Sequence, residues 1–451
     1  MHLFARTPSH RSFTLISLII AFILISSCTL RPRPISSIPT VDSSATDETK
    51  ALFIKLWTLA DSNQTLFGHQ DDTYFGATWR DIPGRSDVLE ASASDTLDIA
   101  GSYPAVYGWE IGGLESGGPN NGDGVPFDRI REEIVAGYQR GGVITISWHM
   151  YNPITWELVG TDPDNNQLGT AFDRTSAVST ILPGGSNHAQ YVDWLDQFAE
   201  FDRSLVASGV PWNVTDHLVP IILRPFHEHN CRTFWWGKRN MAEFPNENAT
   251  EDEYIALWRF TVEYLRDEAG LHNLLYAYSP DARCLRGRNA NRTFPDLETF
   301  KSTYFYAYPG DDYVDVLGLD YYQDMYPYRP GSDDALYGLT AFQNSLDMLV
   351  ETANEYDAQH LKIPALTETG GQRWDEPSAD IWWTGFLYPG ILDTRSSGGQ
   401  VAWVLPWRNW DEMDHAVPYA GSTSAEDFAK FKDRPMIHFE DEIPFNMYTW
   451  P

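Results

Sequence analysis

The sequence predicts an α/β fold, namely a single-domain (β/α)8 or TIM barrel, and three observations support this prediction. Eight apolar runs of strand length follow one another along the chain. Amphipathic segments with helical spacing lie between them, which is the alternation that a parallel sheet requires. The chain has 451 residues, whereas such a barrel needs only about 250, so we expect long loops as well. A doubly wound parallel sheet is the alternative fold.

The predicted strands are nearly continuous in their apolar character and do not alternate with polar residues. This pattern is typical of parallel strands that are buried on both faces. The eight runs are Thr65–His69, Pro104–Gly112, Gly142–His149, Leu218–Glu228, Asn273–Pro280, Val314–Tyr322, Ile363–Gly370 and Gln400–Trp407.

Helices are predicted between these strands, most clearly over residues 188–208 and 251–269. In the second segment, apolar residues recur at helical spacing, and Thr250 with Glu253 forms a capping box. Gly270 suits the C-terminal end of that helix. The longest loops are expected at 113–127 and 151–187.

The N-terminal segment resembles an export signal of the bacterial lipoprotein type. Arg6 and Arg11 precede an apolar run over 15–25, and Ser26 and Ser27 lead to Cys28. We therefore predict a signal peptide at 1–27, lipidation of Cys28, a flexible stalk over 28–47 and a catalytic barrel domain over 48–451. A conventional cleavage nearby is the alternative. The prediction is an exported protein that is lipid-anchored to the bacterial cell envelope, with the outer membrane as the expected membrane.

The net charge limits the classes of molecule that the protein can bind, and the cysteine content limits its possible disulfides. A net charge of −31 repels nucleic acids and anionic lipid surfaces, so a neutral substrate is favoured and the lipid is the predicted membrane contact. Aromatic residues make up 14% of the chain, and those outside the core can stack on sugar faces. Cys231 and Cys284 remain after the signal peptide, and the sequence leaves open whether they pair or stay as thiols.

Polar and aromatic residues gather where the predicted strands end, which is the catalytic end of a barrel. Glu228 and Glu368 follow the fourth and seventh apolar runs. Two carboxyl groups at one barrel mouth suit the hydrolysis of a glycosidic bond, in which one acts as an acid and the other meets the anomeric carbon. The other strand-end candidates are His69, Trp109, Glu110, His149, His227, Asp281, Tyr321, Tyr322, Trp407 and Arg408.

Roles for the neighbouring residues follow from their chemistry. Arg224 lies four residues before Glu228 and can keep a nearby carboxylate ionised. The Tyr322 hydroxyl can orient the nucleophile, and Trp407 offers a flat face to a sugar ring. Packing in the barrel is the alternative for each of these three residues.

Several motifs resemble glycoside hydrolase family 26, whose members are chiefly β-mannanases. The resemblance is carried by Arg224-Pro-Phe-His-Glu-His229, Phe234-Trp-Trp-Gly237 and Leu366-Thr-Glu-Thr-Gly370. Supporting segments are Leu66–Gln70, Pro104–Trp109, Ser147–His149, Asp315–Tyr322 and Trp403–Arg408, so the resemblance extends from about residue 48 to 410.

The resemblance implies a retaining mechanism on a (β/α)8 barrel without a metal or an organic cofactor. It makes Glu228 the acid/base and Glu368 the nucleophile. Predicted substrate-binding residues are His149, Arg224, His227, Trp235, Trp236, Tyr322, Trp407, Trp109 and, in the 113–127 loop, Asp123. One departure is Thr233, where members of the family often carry a tryptophan, so we expect sugar binding on the leaving-group side to be weaker or built differently.

The predicted function is hydrolysis of β-1,4-mannosidic bonds in mannan polysaccharide or mannooligosaccharides by a monomeric enzyme. The cleft either cuts internally or releases mannobiose from chain ends. One alternative is a β-1,3-xylanase or mixed-linkage β-glucanase of the same family. Another, from a different class, is a non-catalytic surface lipoprotein that binds glycans.

Overall fold

Eight parallel strands form a closed barrel, because the last strand pairs with the first. The neighbouring strands pair in chain order around the barrel, as the eight apolar runs predicted. In chain order the strands are β1 (Thr65–Gln70), β2 (Val106–Glu110), β3 (Val143–Trp148), β4 (Ile221–Pro225), β5 (Leu274–Tyr278), β6 (Val316–Gln323), β7 (Ile363–Gly371) and β8 (Trp403–Pro406).

The computed structural model describes residues 38–79, 93–155, 174–286, 293–323, 333–371, 381–392, 399–412 and 414–450. Nearly every residue of the eight strands is buried, so the strands are covered both by the barrel interior and by the surrounding helices. A short ninth strand, Ile437–His438, pairs in parallel with the start of β1. The predicted (β/α)8 fold is therefore confirmed, and the doubly wound alternative is excluded.

Helices pack around the barrel between the strands. The helices are Asp47–Asp61, Asp95–Ala100, Phe127–Arg140, Val178–Ile181, His188–Ser204, Glu251–Glu263, Ala282–Arg286, Leu297–Tyr304, Asp333–Asn354, Tyr388–Ile391 and Ala425–Lys432, with wider π turns at Tyr264–Glu268 and Trp383–Leu387 and 3-10 turns at Leu114–Ser116, Asp311–Tyr313 and Glu440–Glu442.

The predicted capping box opens the helix Glu251–Glu263. The Thr250 side chain accepts a hydrogen bond from the Glu253 backbone N–H, and the Glu253 side chain accepts one from the Thr250 backbone N–H. Gly270 adopts a φ of 67° just past the π turn, in the left-handed region that glycine favours. Both ends of this helix thus follow the local sequence.

The fourth predicted strand is shorter than the apolar run Leu218–Glu228. His217–Leu218 pairs instead with Val206–Ala207 in a small antiparallel ribbon, and β4 covers only Ile221–Pro225. Pro225 at the end of β4 has no N–H to donate to a neighbouring strand. The backbone then turns at Phe226 and Glu228, with φ values of 49° and 53°. The catalytic segment is therefore a tight turn after the strand, where strained backbone is common at functional sites.

The predicted stalk is partly wrong, because its second half packs on the barrel. Ile38 is buried, the Val41 backbone N–H donates to Asp315 at 2.8 Å, and Asp42 pairs with His272 at 2.7 Å. Apolar Ile38 and Val41 interrupt the Pro, Ser and Thr pattern that suggested a stalk. Cys28 and the predicted signal peptide lie outside the described residues. Among the helices of the described ranges, none combines the length and apolar character needed to cross a bilayer.

Candidate active site

Glu228, in the turn after β4, and Glu368, on β7, meet at the C-terminal mouth of the barrel. One carboxylate oxygen of each, with one of Asp320, forms a set whose members all lie within 4.8 Å of one another. All three carboxyl groups are buried. This short separation matches the arrangement in which the second carboxylate attacks directly, since the inverting arrangement needs a gap of about 6.5–9.5 Å for a water molecule.

Arg224 holds the Glu368 side of this cluster. Its Nη2 contacts Glu368 Oε1, and its Nη1 donates to Asp320 Oδ2 at 2.9 Å. The guanidinium is buried, so both ion pairs lie in an environment of low dielectric constant. The Tyr322 hydroxyl donates to the other Glu368 oxygen, Oε2, at 2.8 Å. Glu368 is thus held in place on both oxygens by hydrogen-bond donors.

A β-bulge beside Glu368 sets its position. The register of β6 and β7 shifts between Leu319 and Asp320, so that Leu319 faces Leu366 while Asp320 faces Glu368. Thr367 is the extra residue, and its hydroxyl donates to Asp320 Oδ1 at 2.6 Å. Because side chains alternate along a strand, the added residue changes the side on which Glu368 projects. A bulge is a common means of aiming one side chain into an active site.

Gly318 makes room for this bulge. A Cβ atom at position 318 would lie 2.7 Å from both the Thr367 hydroxyl oxygen and its methyl carbon, and 3.0 Å from Ser279. Threonine is stiff about its first side-chain torsion, so it cannot move away cheaply. Close packing against Thr367 therefore explains why a glycine stands at position 318, between two apolar strand residues.

The environment of Glu228 keeps this side chain protonated. Burial, followed by the nearby carboxyl groups of Asp281 and Glu368, raises the pKa of Glu228 well above its usual range, and Arg283 opposes that rise. The Glu228 backbone N–H donates to the Ser279 carbonyl at 2.8 Å, which ties the strained turn to β5. A protonated glutamic acid next to an ionised glutamate is the pair that acid-assisted glycoside cleavage requires.

The raised pKa of Glu228 gives a prediction for the pH dependence of turnover. The acid form donates the proton, so kcat/KM should fall as the pH rises through the pKa of Glu228 in the free enzyme. We expect this basic limb well above about pH 4.3, the ordinary value of a glutamic acid. A pH–rate profile on an oligosaccharide checks it, and a basic limb between pH 4 and 5 would contradict the assignment of the acid.

A chain of three side chains leads from His227, the residue before Glu228, to Glu110 on β2. The Glu110 carboxylate lies 2.5 Å from His149 Nδ1, and the Nε2 atoms of His149 and His227 lie 3.0 Å apart. Burial raises the pKa of Glu110, but His149 and the backbone donors around it lower that pKa overall. Burial and the nearby Arg224 lower the pKa of His227 well below its usual range, so its ring is neutral. His227 Nδ1 is buried without a hydrogen-bond partner among the described residues.

The aromatic residues separate into one accessible ring and several buried ones. Trp407 is half-exposed, and its ring centroid lies 5.9 Å from that of His149, so it can face a sugar. Trp235 and Trp236 are fully buried and donate their indole N–H groups to the Met150 and His227 carbonyls. Trp109 is also buried. These three residues were predicted to bind substrate, and the structure places them instead in the core that supports the site.

Asp123 lies in the 113–127 loop, as predicted, but it is buried against Arg408. Arg408 Nη1 contacts Asp123 Oδ2, and its guanidinium lies 4.9 Å from the Trp410 ring centroid. The other Asp123 oxygen, Oδ1, has no hydrogen-bond partner among the described residues. The loop therefore closes onto the end of β8, and any contact of Asp123 with a sugar would be shared with Arg408.

A disulfide joins Cys231 and Cys284, whose Cα atoms are 5.5 Å apart. Cys231 follows Glu228 by three residues, and Cys284 follows Asp281 by three. The bridge therefore ties the segment after β4 to the segment after β5, directly beside the acid. The sequence left open whether these two cysteines pair or stay as thiols, and in the structure they are paired.

Two residues of the site went unnoticed in the sequence. Asp320 is the only charged residue in the apolar run Val316–Asp320. A single charge in a buried strand could have indicated that Asp320 belongs to the site. Arg283 lies 3.9 Å from Glu228, measured from Nη2 to Oε2. No sequence pattern indicated Arg283, because its position depends on how two loops meet. His69 was a candidate, but it pairs with Asp72 inside the core at 2.6 Å.

An eight-stranded parallel barrel with an acid and a carboxylate facing each other at its mouth defines a glycoside hydrolase of the retaining type. The family model of glycosyl hydrolase family 26 matches residues 41–383. The chain belongs to that family.

Known proteins agree with this assignment. A mannan endo-1,4-beta-mannosidase of Bifidobacterium adolescentis is 31% identical over 425 residues, which is 91% of this chain and 36% of that protein. One from Bacillus subtilis is 29% identical over 69% of this chain and 74% of that protein. The chain thus spans about a third of the first relative and about three quarters of the second.

Among solved structures, a GH26 beta-mannanase from Bacteroides ovatus is 34% identical and superposes with a TM-score of 0.69. The alignment covers 90% of this chain and 98% of that one. A modular endo-beta-1,4-mannanase from Cellulomonas fimi is 31% identical with a TM-score of 0.69, over 91% of this chain and 79% of that one.

Proposed function

We propose that this protein hydrolyses β-1,4-mannosidic bonds in mannan and mannooligosaccharides with retention of configuration. The observation that carries the proposal is the pairing of Glu228 with Glu368 at the barrel mouth, within 4.8 Å. The names of the relatives support the substrate, since the Bifidobacterium and Bacillus proteins are both mannan endo-1,4-beta-mannosidases.

In the first step, Glu368 attacks the anomeric carbon while Glu228 gives its proton to the glycosidic oxygen. The bond to the leaving sugar breaks, and a glycosyl ester of Glu368 forms. Arg224 and Tyr322 hold the nucleophile in place, as their contacts with the two Glu368 oxygens indicate. The departure of the sugar leaves Glu228 ionised.

In the second step, Glu228 takes a proton from water, and the water oxygen attacks the anomeric carbon from the face the first sugar left. The ester breaks and Glu368 returns to its ionised state. The Tyr322 hydroxyl keeps its proton throughout, because burial, followed by the nearby Glu368, raises its pKa well above the usual range. The half-exposed Trp407 ring supports the sugar that is being cleaved.

Product analysis on several polysaccharides tests the proposal. The purified protein is incubated with unsubstituted β-1,4-mannan, β-1,3-xylan, mixed-linkage β-glucan and mannooligosaccharides. We expect products from the mannan and its oligosaccharides; turnover confined to xylan or glucan would overturn the substrate, and binding without cleavage would reveal a glycan-binding lipoprotein. The time course also separates internal cutting, with its early spread of oligosaccharides, from release of mannobiose alone.

We also propose that the protein is exported and anchored through a lipid on Cys28. The support is the sequence of the predicted signal peptide, with its basic start, apolar run and Ser-Ser-Cys end. Labelled palmitate fed to expressing bacteria should enter the native protein, while Cys28→Ser should abolish the label and release the protein from the membrane fraction. Equal labelling of both proteins would contradict the proposal.

A further inference from the structure

Arg283 is an accessible cation beside the buried acid of the site. Its Nη2 lies 3.9 Å from Glu228 Oε2, and its side chain is 43% exposed whereas that of Glu228 is 7% exposed. The Asp281 carboxylate fixes the guanidinium by accepting from Nε at 2.8 Å and from Nη2 at 2.5 Å. A guanidinium group that is held through two of its N–H donors has little freedom to move away.

The support of Arg283 is rigid because two loops are tied together under it. Asn230 donates to the Asp281 carbonyl at 2.8 Å, and the Asp281 N–H donates back to the Asn230 side chain at 2.8 Å. The Cys231–Cys284 disulfide joins the same two segments, one residue after Asn230 and three residues after Asp281. The acid Glu228 and the cation Arg283 are therefore held at a fixed relative position.

The leaving sugar must come close to this cation. An oxygen that takes the Glu228 proton lies within about 3 Å of that carboxyl group. A guanidinium 3.9 Å from the same carboxyl oxygen is then within reach of the sugar that carries the leaving oxygen. The rings of Phe234, Trp235 and Trp236 in the neighbouring loop are buried and do not offer that sugar a flat surface.

We propose that Arg283 binds the first sugar on the leaving-group side of the scissile bond and orients the Glu228 carboxyl group towards it. The proposal rests on the proposed function and extends it to the leaving-group half of the cleft. It assigns to a charged hydrogen-bond donor a part of the sugar binding on that side of the scissile bond.

The charges around Glu228 give a second consequence. Facing it are Asp281 and Arg283 after β5, Asp320 and Tyr322 on β6, and Glu368 on β7. The carboxyl groups of Asp281, Glu368 and Asp320 raise the pKa of Glu228. Among the charged groups with the largest effects on that pKa, Arg283 is the one that lowers it. Removal of Arg283 should therefore raise the pKa of Glu228 further and move the basic limb of the pH profile upward.

The test compares Arg283→Ala with Arg232→Ala on two substrates. Arg232 lies in the same disulfide-tied loop, but its guanidinium pairs with Glu247 at 2.6 Å, so it is the matched control. One substrate is mannopentaose, whose leaving sugar needs both the acid and the contact. The other is 2,4-dinitrophenyl β-mannobioside, whose leaving group needs neither protonation nor a sugar contact.

For Arg283→Ala we expect kcat/KM on mannopentaose to fall about 10- to 100-fold, the usual effect of losing a charged hydrogen bond. The dinitrophenyl substrate should lose less than about threefold, and the basic limb should move up by up to about one pH unit at low salt. Arg283→Lys should leave the basic limb of the pH profile where it is and recover part of the lost kcat/KM on mannopentaose. Lysine keeps the positive charge but lacks the paired N–H donors of the guanidinium.

Equal losses on both substrates, or an oligosaccharide rate equal to that of Arg232→Ala, would overturn the role of Arg283. This failure is distinct from failure of the proposed function, because in the latter case the unaltered protein would not cleave mannopentaose at all. Thermal unfolding of each variant identifies any that lose the fold, and Arg283→Lys then decides the question.

Discussion

Replacement of Glu368 by alanine should abolish turnover of mannan, with kcat falling by at least about 10⁴-fold. The variant has no carboxylate to form the glycosyl ester on which the double displacement depends. Folding should survive, because Arg224 keeps its ion pair with Asp320 at 2.9 Å. Initial rates on mannan, with thermal unfolding as the check of fold, measure the effect.

The matched control for this variant is Glu132→Ala. Glu132 lies on the exposed face of the helix Phe127–Arg140, where it pairs with Arg129 at 3.3 Å, and it should change the rate by less than twofold. A Glu368→Ala variant that keeps more than about 1% of the wild-type rate would exclude Glu368 as the nucleophile.

Replacement of Glu228 by alanine should lower kcat/KM on mannan by about 10² to 10⁴, the usual contribution of an acid catalyst. The loss should nearly disappear for the first step of a dinitrophenyl mannobioside, because that leaving group departs without a proton. The ester on Glu368 should then accumulate, since no base activates water for the second step.

An added nucleophile separates this interpretation from simple damage to the site. Azide needs no base, so it should restore turnover of the dinitrophenyl substrate by Glu228→Ala and give a glycosyl azide with the original configuration. The same salt should not restore Glu368→Ala in this way, because no ester forms there. Equal responses of the two variants would mean that their roles are not those proposed.

The charges of the cluster explain why the two glutamates differ. Three carboxyl groups, those of Glu228, Asp320 and Glu368, face one another around a single buried guanidinium, Arg224. Arg224 pairs with Asp320 and Glu368 but not with Glu228. Glu228 therefore holds its proton, since burial raises its pKa. The exposed Arg283 is 3.9 Å away and moderates that effect.

The sequence was sufficient for the barrel and for the two glutamates because both depend on simple patterns. Strands buried on both faces are almost wholly apolar, so Glu228 and Glu368 were visible as the first acidic residues of such runs. Arg224 was also visible, since a charge within a buried strand requires a partner. These features need no knowledge of how distant segments meet.

The remaining features depend on tertiary packing. The bulge at Thr367 adds one residue to β7 and cannot be read from the pattern of apolar residues. Trp235 and Trp236 resemble sugar platforms in sequence, but whether a ring is exposed depends on what covers it. The packing of Ile38 and Val41 on the barrel and the approach of Arg283 to Glu228 are likewise contacts between segments far apart in the chain.

Trapping of the glycosyl ester tests most directly whether Glu368 attacks the sugar while Glu228 protonates the leaving oxygen. A 2-deoxy-2-fluoro mannobioside with a dinitrophenyl leaving group should slow the second step enough for mass spectrometry of the digested protein. We expect the added mass on the peptide containing Glu368 and nowhere else. A protein that turns over mannan but carries the label on another residue, or no label while its products show inverted configuration, would contradict the account.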